Sequence, residues 1–198
     1  MKNLRTLAVA SAAIAAALVL AGCAPQVGMP GMDRGPGEMM PSDTAGVANA
    51  ADEMFVTMMI PHHEQAIEMA DLMLAKNDVD PQVVDLAQRI KDAQRPEIDT
   101  MLGWLDDWGI DYDDSMGGMD YGGGMMSAGD MAALESADGP QASRLFLEQM
   151  IVHHEGAIDM AQSAATSGQN PNVVALAEQV IEDQTAEIAI MRELLDSL

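Results

Sequence analysis

The chain is short of cysteine, of aromatic residues and of positive charge. Its 198 residues include one cysteine, 3% aromatics, and nine lysines and arginines against 32 acidic residues. Each shortage excludes something. One cysteine cannot make an internal disulfide, and a chain this long can bury a core without one. Few aromatics argue against strands, whose signal is β-branched and aromatic alternation. Abundant Ala, Leu, Ile, Val and Met argue for helices. A formal charge of −23 repels nucleic acid and attracts cations. No glycine-rich phosphate loop joins a strand to a helix, and no serine sits in a nucleophile elbow. Glu-x-x-His, the mark of di-iron bundles, is missing because each Glu follows the histidines. Zinc proteases of the His-Glu-x-x-His type need a second histidine where this chain has Ile67 and Ile158. With no catalytic motif present, the expectation is a protein that is not an enzyme.

What is abundant is methionine, with 19 residues, and what is concentrated is histidine. All four histidines fall in a stretch written twice. Phe55 to Ala70 reads FVTMMIPHHEQAIEMA, and Phe146 to Ala161 reads FLEQMIVHHEGAIDMA, identical at ten of sixteen positions. The segments that follow also match. Val83, Leu86, Ala87, Gln94, Glu97, Ile98 and Met101 correspond to Val173, Leu176, Ala177, Gln184, Glu187, Ile188 and Met191.

The ends and the middle are of a different composition. Lys2 and Arg5 precede an apolar run from Leu7 to Leu20, which reads as a secretory signal over residues 1–22. Leu20-Ala21-Gly22-Cys23 looks like a bacterial lipobox. Cys23 is the expected lipidated N-terminus, and the domain is expected on the outer side of the cytoplasmic membrane, held by that lipid alone. Residues 23–48 are rich in Met, Gly and Pro and suit a flexible tether. A second such segment, 106–130, is expected as a crossover loop. Its Met116, Met119, Met125 and Met126 are candidate auxiliary soft-metal donors beside a plain connecting role. Met131 to Leu134 reads as a short apolar turn.

Between these segments the periodicity is helical. Asp80-Pro81, Asp138-Gly139-Pro140 and Asn170-Pro171 supply caps with proline in the first turn. On the first helix His62 and His63 fall on the two shoulders of an apolar arc, with Met59 between them one turn earlier. Pro61 is expected to kink that helix just before the histidines. The two repeats, about 50–105 and 138–197, are helical hairpins of one design. The expected fold is all-α, a four-helix bundle over residues 49–198.

Imidazole suits copper, zinc, iron and nickel, and thioether selects Cu(I). A His-plus-Met mixture inside a bundle therefore points to copper, with Ag(I) as a mimic. Glu97 and Glu187 are expected to accept a hydrogen bond from the non-ligating ring nitrogen of a histidine, and Gln94 and Gln184 to do likewise. Met-Ile-x-His-His-Glu-x-Ala-Ile-x-Met-Ala, followed by Gln-x-x-Glu-Ile-x-x-Met, resembles the DUF305 family from roughly Asn49 to Leu198. The resemblance implies a ferritin-like bundle in a secreted or envelope protein, with copper and silver bound through Met and His in some members. The ligands it implies here are His62, His63, Met59 and Met69, His153, His154, Met150 and Met160, with Met101 and Met191 from the partner helices. Gln65 and Pro61 become Gly156 and Val152 in the second copy, so the two copies are expected to differ in affinity. The leading expectation is a lipoprotein that buffers copper or passes it to a metal-transfer partner. The alternatives are a metal-free interaction module that docks a cationic partner, and a redox enzyme using the same metal.

Overall fold

A computed structural model describes residues 47–113 and 123–198. Five helices follow in order: α1 Ala50–Leu74, α2 Pro81–Trp108, α3 Ala128–Ser136, α4 Gly139–Ser167 and α5 Pro171–Ser197. The helices α1, α2, α4 and α5 make the four-helix bundle, as two hairpins. None of the described helices is long and apolar enough to cross a membrane. The signal and tether segments, Cys23, Met116 and Met119 lie outside the described residues.

Local chemistry starts each helix where the sequence says it should. Asn49 caps α1 in a capping box closed by Asp52. Asp80 and Asn170 cap α2 and α5, each followed by proline at a position whose N–H has no helical partner anyway. Gly109 ends α2 with φ of 70°, the left-handed region that glycine enters without strain. The apolar stretch expected as a turn is instead part of α3. Ser127 and Asp130 form a capping box there, and buried Leu134 fixes the helix to the bundle. Pro61 does not interrupt α1, which is helical on both sides of it.

The hairpins meet through α1 and α4, which run antiparallel. Asn49 Nδ2 donates to Ser167 O at one end, His62 lies against His153 at the middle, and Lys76 Nζ donates to Ala137 O at the other end. A pseudo-two-fold axis passes between the two histidines, relating residue 62 to residue 153.

The same symmetry produces a cross-repeat staple. Buried Asp52 accepts from the backbone N–H groups of Gln169 and Asn170, at the start of α5. Its counterpart Ser143 accepts from Asp80 N, at the start of α2. Each repeat's first helix thus satisfies donors that the other repeat's second helix leaves open.

Candidate metal centre

The apolar stripes of α1 and α4 face each other, so the histidines on their shoulders are carried to the bundle centre. All four are buried, none more than 1% exposed. The His62 and His153 rings face each other with centroids 3.7 Å apart and planes tilted by 39°. His63 and His154 point outward to the second helices. His63 Nε2 lies 2.7 Å from Glu97 Oε2, and His154 Nε2 lies 2.6 Å from Glu187 Oε2.

Those partners decide where the protons sit. A carboxylate only accepts, so in the neutral tautomer the proton of His63 and of His154 sits on Nε2 and the lone pair on Nδ1. His62 Nε2 lies 2.9 Å from the carbonyl oxygen of Gly123, which places its lone pair on Nδ1 as well. The Nδ1 atoms of His62, His63 and His154, and both ring nitrogens of His153, are buried with no hydrogen-bond partner. Burial first, and then the proximity of His63, pushes His62 down to about 3, against the pull of the Gly123 carbonyl. Burial, and then His62, holds His153 well below its ordinary value. Both imidazoles are therefore neutral at ordinary pH and offer lone pairs.

The six candidate methionines divide between two core clusters, and each cluster draws on both repeats. Met59 and Met101 pack with Met160, and Met150 and Met191 pack with Met69. Five of the six are fully buried, and Met160 is half-buried. Among the described residues no group of three or more His, Cys, Asp and Glu side chains is gathered to hold a metal. The other soft donors in the surrounding core are the thioethers of the two clusters. The donor set fits a soft ion such as Cu(I) and offers no ready shell for a hard one.

Gln94 and Gln184 do not bond the histidines, contrary to expectation. Glu97 and Glu187, one turn on, take that role, and the Oε1 atoms of both glutamines have no partner. The two Gln–Glu pairs instead line a water-sized cavity of about 20 Å³ between α2 and α5.

The crossover backbone, which carries no signal of its own in the sequence, closes the centre. Gly123 and Gly124 adopt φ of 63° and 81° and lie directly on α4. A Cβ on Gly156 would overlap the Gly123 carbonyl, and one on Gly124 would overlap the Val152 carbonyl. On the other side Gln65 Nε2 donates to Met126 O at 2.9 Å while Gln65 Oε1 accepts from Met126 N at 2.7 Å. Met126 is held there by its backbone, and its side chain packs half-buried against the cluster around Met69. The replacement of Gln65 by Gly156 between the copies was the visible sign: one position grips the crossover chain and the other makes room for it.

The profile described as "Domain of unknown function (DUF305)" matches residues 52–195, most of the chain and all four histidines. The chain belongs to the DUF305 family. Two solved DUF305 structures resemble it. The fragment from Deinococcus radiodurans is 32% identical, covers 76% of this chain and 99% of its own, and superposes with a TM-score of 0.69. The secreted protein from Streptomyces coelicolor is 32% identical over 74% of this chain and 93% of its own, with a TM-score of 0.67. CopM in a Cu(II)-bound form is 36% identical over 74% of this chain and 96% of its own, at a TM-score of 0.65. CopM structures with Cu(I) and with silver are also similar to it. No curated protein matches the chain. In this DUF305 chain the two copies of the motif meet where His62 lies against His153, and each of the two methionine clusters draws on both repeats.

Proposed function

We propose that the chain is a non-enzymatic envelope lipoprotein, anchored through Cys23, that binds copper as Cu(I), or Ag(I) in its place, at the bundle centre. Its role is to buffer the metal, give tolerance to it, or deliver it to a transfer partner. The observation that carries this reading is the set of five buried ring nitrogens without a partner. A buried polar atom left unpaired costs about 1–3 kcal/mol. Metal coordination at the three Nδ1 lone pairs, and at whichever His153 nitrogen is unprotonated, removes that cost. The carboxylate behind His63 and behind His154 raises ring basicity and fixes the orientation, as in many histidine metal sites. The copper-bound and silver-bound CopM relatives support the choice of metal.

A second reading is favoured by one observation, that among the described residues no three His, Cys, Asp or Glu side chains are gathered at one point. In it the His63–Glu97 and His154–Glu187 pairs are structural ties, and the acidic surface docks a cationic partner. Titrating Cu(I) against a chromogenic chelator separates the two. The mature protein should draw the metal from the chelator, and a variant with all four histidines changed to Ala should compete far less. Circular dichroism on the variant checks that it remains helical. A wild-type protein that leaves the chelator fully loaded would refute the copper reading. Equal competition by the variant would move binding to the Met-rich segments.

A further inference from the structure

The pseudo-two-fold relates two sides of the histidine centre, and the chain finishes them differently. On one side α3 lies over the bundle. Leu134 is buried there with Met69, and Leu72 and Leu145 pack beside it. Gln149 Nε2 holds α3 by donating to Asp130 O. Adding 91 to 54, 58 and 72 gives the corresponding positions, so Leu145, Gln149 and Leu72 answer to Met54, Met58 and Ser163. On that second side no described helix lies across the bundle, and a groove of about 410 Å³ remains. Met54, at its mouth, is 63% exposed, and Met58 and Met160 are half-buried along it. Gly123 and Gly156 line it as well. A Cβ placed on Gly123 would stand 3.7 Å from the Met160 sulfur, and the carbonyl of the same Gly123 accepts from His62. Three thioethers therefore run from solvent to the backbone that touches a buried imidazole.

Packing does not call for sulfur here. Where the other side carries Leu145, this side carries Met54, which stands 63% exposed at the groove. Thioether is a donor for soft monovalent cations and a poor one for hard ions. We propose that the groove is the port by which a soft cation, Cu(I) or Ag(I), reaches the centre: Met54, Met58 and Met160 take the ion and pass it inward past Gly123 toward the unpartnered ring nitrogens of the buried histidines. The proposal rests on the reading of the centre as a soft-metal site. Transfer is ligand exchange, in which bonds from metal to thioether sulfur break as bonds to imidazole nitrogen form. No electron moves and the oxidation state of the ion is unchanged.

The test separates rate from affinity. The full mature chain is mixed with Cu(I) held by a chromogenic chelator, and loading is followed by stopped-flow absorbance. The double variant Met54→Leu/Met58→Leu keeps the groove apolar and removes two sulfurs. It should load about tenfold more slowly, with final occupancy and equilibrium affinity unchanged. Ser163→Phe, which narrows the groove and leaves every sulfur in place, should slow loading as well. A wild-type protein that loads, and a double variant that loads at the same rate, would overturn the port while leaving the central site standing. Loss of a metal equivalent from the double variant at equilibrium would also overturn it, since the groove would then be a resting site. No loading of the wild type would remove the central site and the port together.

Discussion

The Met69 side and the Met160 side of this bundle began as the same sequence and now do different work. On the Met69 side two glutamines hold the crossover chain by its backbone, Gln65 at Met126 and Gln149 at Asp130. Their counterparts Gly156 and Met58 cannot do this. Gly156 lets the crossover backbone lie on α4, and Met58 lines the groove that remains. The covered side is closed by Leu134, Leu72 and Leu145 together with Met126 and Met131, and the open side presents Met54, Met58 and Met160 along a groove. The two copies differ at a few positions, and the two sides of the bundle are finished differently: α3 covers one, and a groove lies on the other.

Acid should produce the largest change, and it tests the pair on the axis. His62 and His153 have folded-state values below those of the unfolded chain, so below about pH 6.5 the unfolded state binds more protons than the native one. Stability is then fully present above pH 6.5 and falls with pH toward about 3, where His62 titrates in the fold. Each histidine contributes a slope of about 1.4 kcal/mol per pH unit. Urea unfolding across this range should show the slope, and replacing both His62 and His153 with Phe should flatten it. A slope that survives the double replacement would assign acid sensitivity to other groups.

Leu134→Ala should come next. It removes the anchor of α3 and leaves a cavity above Met69, at a cost of about 2–5 kcal/mol. Hydrogen exchange should show α3 opening while α1 and α4 stay protected. Protection of α3 equal to wild type would mean that the two glutamines alone cover this side.

The cross-repeat staples should be unequal. Asp52 is a buried carboxylate accepting from Asn49, Gln169 and Asn170, so Asp52→Ala should cost about 2–3 kcal/mol. Ser143 accepts one backbone bond from Asp80, so Ser143→Ala should cost about 1 kcal/mol. Equal losses in chemical denaturation would contradict the asymmetry.

Gln65→Ala should have the smallest effect on stability, about 1 kcal/mol, because it frees only the backbone at Met126. Its sharper signature is faster amide exchange at Met126. Unaltered exchange there would show that the crossover chain is held by Gly123 and Gly124 alone.

Much of the fold was legible in the sequence because its causes are local. Three helix starts follow from Asp80, Asp138 and Asn170 with their prolines, all within a few residues of the bonds they make. The short apolar stretch at Met131–Leu134 was misread as a turn because its capping box at Ser127 and Asp130 lies inside a glycine-rich segment that suggests loop. Pro61 suggested a kink that does not break α1. The histidines and their Glu partners were legible from spacing. The glutamines at 94 and 184 share that face, and the packing of α1 on α2 and of α4 on α5 brings Glu97 and Glu187 to the imidazoles.

The sequence by itself determined the duplicated helical hairpins, the family, and the concentration of imidazole and thioether on buried faces, since period, caps and composition act over one or two turns. Tertiary structure alone decided that His62 stacks on His153, that each methionine trio is shared between repeats, that Gly123 closes the centre, and that one side is sealed by α3. These are contacts between residues tens of positions apart. They depend on how two hairpins dock, and no local periodicity encodes that.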